Sequence, residues 1–203
     1  MAGDGTGHDW WHVDRVRKLA VRIARAEGAD ELVVELAALL HDVADYKLTG
    51  SEEAGPEAAH VWLTAGGASP ELVEHVVTIV RGISFKGAGV AEADLTLEGR
   101  CTRDADRLDA LGAVGIARAF AYGGSRGQPL HDPGVPPRHH SDAAEYRQGA
   151  ATTLNHFHEK LLLLRDRMGT ETGRRLAQHR HEVVERFLAE FHAEWDADDR
   201  SSS

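Results

Sequence analysis

A His-Asp pair interrupts an otherwise apolar helical pattern between Leu32 and Ala44, and any fold of this chain has to accommodate it. The apolar residues recur at the i, i+3, i+4, i+7 spacing of a core-facing helix, namely Leu32, Leu36, Leu39, Leu40 and Val43. Ala and Val fill most other positions, so we expect a helix that is buried nearly all round. His41, Asp42 and Asp45 would then line one strip of its last turn.

A carboxylate and an imidazole that are buried side by side must be paired, hydrogen-bonded or bound to a metal, because an unpaired buried charge is costly. The pair His-Asp also occurs at His8-Asp9, before the first periodic segment, and at His131-Asp132, in a stretch rich in Pro and Gly. Only His41-Asp42 lies within a predicted buried helix. We therefore interpret His41-Asp42 as part of a metal site.

The length and composition favour one globular domain that acts on a small molecule. The chain has 203 residues, and 42% of them are hydrophobic, which is enough for a substantial core. Its formal net charge of −10 argues against binding to a nucleic-acid polymer or an anionic membrane. A phosphorylated small molecule remains compatible, because a few local cations can hold its phosphate. Whether the chain forms a homodimer is left open.

Nothing in the sequence is typical of secretion or membrane insertion. Cys101 is the only cysteine, and the first residues contain neither a basic segment followed by an apolar run nor a long apolar span. We therefore expect a cytoplasmic protein without a membrane partner.

Helical periodicity runs through the whole chain, and no segment shows sustained strand alternation, so we predict an all-α bundle. The expected helices cover about 8–27, 30–50, 51–65, 70–81 and 98–122, the last broken near 112–115. We expect a metal core over about 8–122, a lid loop over 123–141 and a long helical hairpin over 142–197. The two arms of that hairpin would span 142–168 and 170–196 and join near Gly169.

Other residues can complete the metal site. His12 heads an apolar stripe with Val16, Leu19 and Ile23, which directs its imidazole into the core. Three acids, Asp104, Asp106 and Asp109, crowd a segment that apolar residues such as Leu108 and Leu111 bury, so at least one should face inward.

Two imidazoles and two carboxylates form a mixed ligand set if His12, His41-Asp42 and an inward Asp106 meet. Such a set suits six-coordinate Mn²⁺, our preferred ion, or Mg²⁺, Fe²⁺, Co²⁺ or Ni²⁺, with positions left for water. The chain has no cysteine pair and no HExxH segment, which argues against a structural zinc site or a zincin-type site.

The order His12, His41-Asp42, Asp106 resembles the H...HD...D signature of HD-domain metal-dependent phosphohydrolases. Further stretches are similar to the bacterial YpgQ/YedJ-like branch of that family and together span nearly the whole chain: HDWWHVDRVRKLA, LLHDVADYK, ISFKG, DADRLDALGAVGIARAFAYGG and NHFHEKLLLL. The resemblance implies an all-helical fold and a divalent metal. It assigns Asp106 as the ligand and leaves Asp109 as a neighbour that supports the ligands. One departure is His158, where the resemblance predicts Tyr.

The resemblance also implies a nucleotide pyrophosphohydrolase, which releases a nucleoside monophosphate and pyrophosphate. A phosphomonoesterase or phosphodiesterase at the same metal is an alternative, because the residues do not show which phosphorus faces the water. A non-catalytic module that binds a metal or a nucleotide is a second alternative.

Several charged residues are candidates for the chemistry. Asp45 could orient the attacking water or act as general base, and it could equally be a hydrogen-bond partner of His41. Arg15 and Lys47 are candidate phosphate contacts in the catalytic centre. The candidates for substrate binding are Lys86, Arg126, Arg138, His156 and Lys160.

Overall fold

Every regular element of the described residues is helical, which confirms the predicted all-α class. The computed structural model describes residues 9–43, 53–83, 93–138 and 151–198. The α-helices are α1 (Trp10–Glu27), α2 (Glu31–Leu40), α3 (Ala54–Ala65), α4 (Pro70–Gly82), α5 (Leu97–Asp109), α6 (Gly112–Ser125), α7 (Thr153–Glu159) and α8 (Glu171–Trp195). Two 3₁₀ turns, Leu161–Leu163 and Arg165–Arg167, separate α7 from α8.

The helix ends follow the capping signals in the sequence. The side chain of Asp9 accepts a hydrogen bond from the His12 amide at 3.0 Å and begins α1. Gly28 ends α1 in the left-handed region, at φ 76°. Asp30 caps α2 through the amides of Leu32 and Val33. These caps fix the start of α1, which carries His12, and the short turn that leads into α2.

Helix α2 ends earlier than predicted, and its buried face is a different one. The helix stops at Leu40, so His41 is its C-cap and Asp42 lies in the following turn. Leu32 is 56% exposed, and the expectation of a helix buried nearly all round is wrong. The fully enclosed side chains of α2 are Val34, Ala37 and Ala38, and the two alanines allow neighbouring helices to approach closely.

Helix α2 lies between two parts of the core. Val34 and Ala38 face a cluster formed mainly by α1, α5, α7 and α8. Val33 and Ala37 face a second cluster formed mainly by α3 and α4. Helix α1 packs chiefly against α5 and α2. The ends of α1, α2 and α5 are thereby held together, and these three helices or their ends carry the predicted metal ligands.

The predicted break after the acidic segment is confirmed. Helix α5 ends at Asp109, and α6 begins at Gly112, whose φ of 72° is readily adopted by glycine alone. The chain therefore reverses within a few residues. As a consequence, α6 packs back beside the C-terminal end of α5.

The predicted hairpin is only half correct. Its second arm is the single long helix α8, as expected. The described part of its first arm is instead the short α7 followed by the two 3₁₀ turns. Residues three apart lie directly above one another in a 3₁₀ turn, and they are also neighbours on an α-helix. This geometry lets Leu161 and Leu164 both be buried while Leu163 points outward.

The described part of the predicted lid, up to residue 138, is fastened to α7. The backbone oxygens of Pro129 and Leu130 accept hydrogen bonds from the amides of Thr153 and Leu154 at 2.9 and 3.0 Å. Asn155 donates to the carbonyl of Val135 at 3.0 Å. Movement of this segment as a lid stays a prediction. Among the described helices, none has the length and hydropathy needed to cross a bilayer.

Candidate metal centre

Two buried histidines face each other where the start of α1 meets the end of α2. The Nε2 atoms of His12 and His41 lie 3.2 Å apart. Their side chains are 1% and 4% exposed. His12 is placed by the first turn of α1 and His41 by the end of α2, so the packing of the two helices sets the distance between the imidazoles.

Two carboxylates complete the cluster on its solvent side. Oδ2 of Asp42 lies 3.3 Å from Nε2 of His12 and 3.5 Å from Nε2 of His41. Oδ1 of Asp106, on α5, lies 3.6 and 3.8 Å from the same two nitrogens. The side chains of Asp42 and Asp106 are 15% and 36% exposed. The two histidines thus form the buried side of the cluster, and the two aspartates form its exposed opening. The structure brings together the four residues that were predicted as metal ligands.

The hydrogen bonds on the far sides of the imidazoles determine which atoms face the centre. Nδ1 of His41 lies 2.8 Å from the carbonyl oxygen of Ala38, which can only accept. Nδ1 of His12 lies 2.8 Å from the carboxylate of Asp109. Both Nδ1 atoms must therefore donate, so in each neutral imidazole the Nε2 lone pair points into the cluster.

A divalent cation fits this arrangement. Two nitrogen lone pairs and two carboxylates lie close together, and such acceptors repel one another unless a proton or a cation lies between them. Ligand atoms about 2.1 Å from one ion lie about 3 Å apart when they are neighbours in an octahedron. The distance between the two Nε2 atoms and the distances from these nitrogens to the two carboxylates are 3.2 to 3.8 Å, somewhat above that value. Suitable ligand atoms of His12, His41 and Asp42 all lie within 4.8 Å of one another, in a group that does not include Asp106.

Asp109 connects the cluster to two arginines. Its Oδ2 accepts from His12 Nδ1 at 2.8 Å, from Arg118 Nη1 at 2.8 Å and from Arg15 Nη2 at 3.0 Å. Its Oδ1 accepts from Arg15 Nε at 2.8 Å. Asp109 lies one helical turn beyond Asp106, and it supports the histidine from behind while Asp106 faces the cluster. This is the supporting position that the resemblance left for Asp109.

Electrostatics favour an ionised Asp109 and a protonated His12 in the metal-free protein. Burial tends to raise the pKa of Asp109, but the hydrogen bonds from His12 and Arg15 and the charge of Arg118 hold that pKa well below its usual range. Burial also tends to lower the pKa of His12. Hydrogen bonds with Asp109 and Asp42 and the charge of Asp106 outweigh this effect and raise the pKa to about 9. In the metal-free protein, the additional proton on His12 thus supplies the positive charge that a metal ion would otherwise provide.

Of the two arginines that bind Asp109, the sequence analysis predicted a role for Arg15 alone. Arg15 lies one turn after His12 on α1, and it was predicted as a phosphate contact; in the structure two of its nitrogens are bound to Asp109. Arg118 was not predicted. It follows a helix break, and no periodic pattern relates it to His12. An arginine on an otherwise small-residue helix, in the stretch GAVGIARAFAYGG, was the available signal.

Three predicted residues lie outside the described residues, namely the catalytic candidates Asp45 and Lys47 and the substrate contact Lys86. The role of Asp45 in the reaction stays a prediction. The second predicted role of Asp45, as a hydrogen-bond partner of His41, likewise stays a prediction.

The remaining predicted substrate contacts lie on and around α6 and α7. The guanidinium of Arg126 lies 5.5 Å from the ring centre of Tyr122, at the end of α6. The amide of Arg138 donates to Oε1 of Glu159 at 2.8 Å. His156 lies on α7 and Lys160 directly follows it, and both are half-buried. Their contact with a substrate stays a prediction.

Comparison with known proteins agrees with the geometry of the cluster. The HD domain family matches residues 10–111, a range that contains all four residues of the cluster and Asp109. The Bacillus subtilis protein YpgQ is 38% identical over 189 residues, which cover 93% of this chain and 84% of YpgQ.

Solved structures show the same similarity. A Lactobacillus plantarum protein superposes with a TM-score of 0.86 at 39% identity, covering 97% of this chain and 91% of its own. An HD-superfamily hydrolase from Bacillus thuringiensis gives a TM-score of 0.75 at 42% identity, covering 96% and 89%. YpgQ has been solved in complex with ADP, and that structure gives a TM-score of 0.75 at 36% identity, covering 94% and 91%.

Proposed function

The chain belongs to the HD-domain family of metal-dependent phosphohydrolases, and from this premise we propose that it hydrolyses nucleoside triphosphates to a nucleoside monophosphate and pyrophosphate. The observation that carries the proposal is the meeting of His12, His41, Asp42 and Asp106. The two Nε2 atoms lie 3.2 Å apart, and each of the two carboxylates lies 3.3 to 3.8 Å from both nitrogens. We propose these four residues as the ligands of one divalent ion. The family implies such an ion, and the mixed nitrogen and oxygen donors suit Mn²⁺.

Two observations support a nucleotide as the substrate. The relative YpgQ has been crystallised with ADP, which places a nucleotide in a protein that is 36% identical. The net charge of −10 makes a nucleic-acid polymer a poor ligand, because a long polyanion would be repelled. A mononucleotide needs only a few cations. We propose that Arg15 supplies one of them, with Lys47 and Lys86 as further candidates.

The residues around the cluster would have different roles in the hydrolysis. A bound divalent ion would lower the pKa of a water molecule and polarise a phosphoryl oxygen. His12 and His41 are held from behind by Asp109 and Ala38, so their lone pairs keep a fixed direction. Asp42 and Asp106 stand at the opening, where substrate would arrive. We propose that Asp45 orients the attacking water.

The position of cleavage is tested by the identity of the products. Purified protein is incubated with dATP or dGTP and Mn²⁺, and the products are resolved by ion-exchange chromatography and ³¹P NMR. We expect a nucleoside monophosphate and pyrophosphate. Release of orthophosphate alone would contradict this position and favour a phosphomonoesterase. Metal binding without any product, across nucleotides and metals, would favour a non-catalytic module.

The metal ligands are tested by two single substitutions. We expect His41→Ala and Asp42→Ala each to remove bound metal and activity together, since each change deletes a ligand and leaves its neighbours under-coordinated. Metal content is measured by inductively coupled plasma mass spectrometry. The matched controls are His131→Ala and Asp132→Ala, which alter the same dipeptide in a loop and should leave the metal stoichiometry intact. Full metal content in both ligand variants would refute the assigned site.

A further inference from the structure

Arg118 reaches the metal centre from a helix that carries none of the proposed ligands. It lies on α6, beyond the reversal at Gly112, and its Nη1 donates to Oδ2 of Asp109 at 2.8 Å. Its side chain is mostly buried, and its enclosed Nε has no hydrogen-bond partner among the described residues. Enclosing a guanidinium with one donor unsatisfied is unfavourable. This burial therefore requires an explanation beyond surface charge.

Charge neutralisation does not explain Arg118, because Asp109 already has a partner. Arg15 binds Asp109 through two nitrogens, Nε to one oxygen and Nη2 to the other, which is the strong paired geometry of a guanidinium and a carboxylate. One arginine balances one carboxylate. A carboxylate can nevertheless accept from two guanidinium groups, so the role of the second arginine depends on its position.

The difference between the two arginines lies in where they stand. Arg15 is on α1, the same helix as His12, and its side chain is 34% exposed, so water and anions can compete for it. Arg118 is on α6, and its side chain is 17% exposed. It donates to Oδ2, the oxygen that also accepts from His12 Nδ1 and from Arg15 Nη2. Arg118 thus holds this oxygen from a second helix, independently of any movement of α1 or Arg15.

We infer that Arg118 is a positioning residue, which holds Oδ2 of Asp109 under Nδ1 of His12 so that Nε2 of His12 stays directed at the metal position. This inference rests on the proposed metal site. Its value is greatest during turnover, because Arg15 is the proposed phosphate contact and would then share its donors between substrate and Asp109. Arg118 keeps the carboxylate in place while Arg15 is engaged.

The test measures metal binding rather than turnover. Mn²⁺ affinity is determined by isothermal titration calorimetry, and the visible absorption of the Co²⁺ form reports the ligand geometry. Loss of a residue that orients a metal-binding histidine commonly costs about 10- to 100-fold in metal affinity. We expect Arg118→Met to weaken Mn²⁺ binding at least about tenfold and to change the Co²⁺ spectrum. Arg118→Lys, which retains a charged donor, should recover most of the loss.

The control is Arg165→Met, because Arg165 is a more exposed arginine that binds its neighbour Asp166 instead of the metal centre. It should bind Mn²⁺ like the wild type. If Arg118→Met does not fold, Arg118→Gln is compared with Arg118→Lys, and a tighter Kd for the lysine variant is expected. A merely structural role would lower the melting temperature of the Arg118 variants and leave the Kd and the Co²⁺ spectrum unchanged.

Two failures can be told apart. If the wild type binds Mn²⁺ and Arg118→Met, or Arg118→Gln in its place, binds it equally well, the inference about Arg118 is wrong while the proposed function stands. If the wild type binds no divalent ion, the proposed metal site itself is wrong, and the inference falls with it.

Discussion

Two aspartates one helical turn apart on α5 have opposite surroundings. Asp106 is at the opening of the cluster, with a side chain that is 36% exposed and faces two imidazoles. Asp109 is enclosed and is bound by His12, Arg15 and Arg118. The same type of side chain therefore serves as a proposed metal ligand at position 106 and as a buried anion at position 109. The two roles predict different consequences when the charge is removed.

We expect Asp106→Asn to lose more metal than Asp109→Asn and to leave the metal-free protein close to wild-type stability. Asp109→Asn should instead lower the free energy of unfolding by about 3 kcal/mol, because it leaves two partly buried guanidinium groups without their anion. Metal content and urea unfolding in EDTA measure the two effects on the same preparations.

The reverse order of metal loss would mean that the acid of α5 that holds the ion is Asp109. The matched control is Asp94→Asn, which changes an exposed acid shortly before α5 and should alter neither quantity.

Helical periodicity in the sequence identifies only part of the site. His12 is recognisable because it heads an apolar stripe, whereas the choice of Asp106 as ligand and of Asp109 as its neighbour came from the family resemblance. Helical periodicity could not predict the contact between Arg118 and Asp109, since this contact depends on the reversal at Gly112 and on how α6 packs. The direction of the His41 ring is likewise set by a backbone carbonyl, that of Ala38, which carries no sequence signal of its own.

At the scale of helices, Asp104 ties α5 to the start of α8. Its Oδ1 accepts from the Gly169 amide at 2.8 Å, and its Oδ2 accepts from the amide and the hydroxyl of Thr170 at 2.8 and 2.7 Å. Thr170 in turn caps α8 through the Gly173 amide at 2.9 Å. The long C-terminal helix is thus anchored at its first turn to the helix that carries Asp106.

This anchorage leaves no room for a side chain at position 173. A Cβ on Gly173 would collide with Oδ2 of Asp104 and approach Oγ1 of Thr170 to 2.7 Å. We expect Gly173→Ala to destabilise the protein by about 1 to 3 kcal/mol, although alanine is the better helix former, because three hydrogen bonds hold Asp104 in place.

The matched control is Gly124→Ala in α6, where an added Cβ meets nothing within 4 Å. This change should raise stability by up to about 1 kcal/mol. Thermal and urea unfolding of both variants provide the comparison, and equal effects at the two glycines would contradict the proposed collision.

The helices themselves were largely predictable, and the misjudged parts have identifiable causes. Capping residues such as Asp9, Asp30 and Ser69 fix the helix starts. The early end of α2 was not visible, since Val43 and Ala44 continue the apolar pattern past Leu40. The run of leucines after α7 was interpreted as a helical face, whereas burial of residues three apart is also satisfied by 3₁₀ turns.

At the scale of the whole molecule, the metal-free protein has a buried ionic centre whose charge depends on pH. The pKa of His12 is raised to about 9 in the folded state, from an ordinary value of 6.5. A raised pKa means that protonation stabilises the folded state. This contribution is fully present below about pH 6.5 and is lost as the pH rises through about 9.

We expect the unfolding free energy of the metal-free protein to fall by on the order of 3 kcal/mol between about pH 6.5 and 9, because His12 loses its proton. With metal bound, we expect a smaller fall. The metal would replace the proton, so the decline should be shallower with saturating Mn²⁺ under anaerobic conditions. Urea unfolding at a series of pH values in EDTA and in Mn²⁺ measures both slopes.

His12→Gln removes the titrating group and serves as the control for all other ionisations. An EDTA slope in the wild type that is no steeper than the slope of His12→Gln would show that His12 does not carry the effect.

The early end of α2 has a further consequence for the cation. A helix accumulates roughly half a negative charge at its C-terminus, from peptide carbonyls that have no amide partner. Since His41 is the C-cap of α2 and Asp42 follows it, the cluster lies against this end. The backbone itself therefore attracts a positive ion, whatever side chains surround it. Had α2 continued through Ala44, this negative pole would lie beyond the histidines, and the cluster would have to attract its ion with side chains alone.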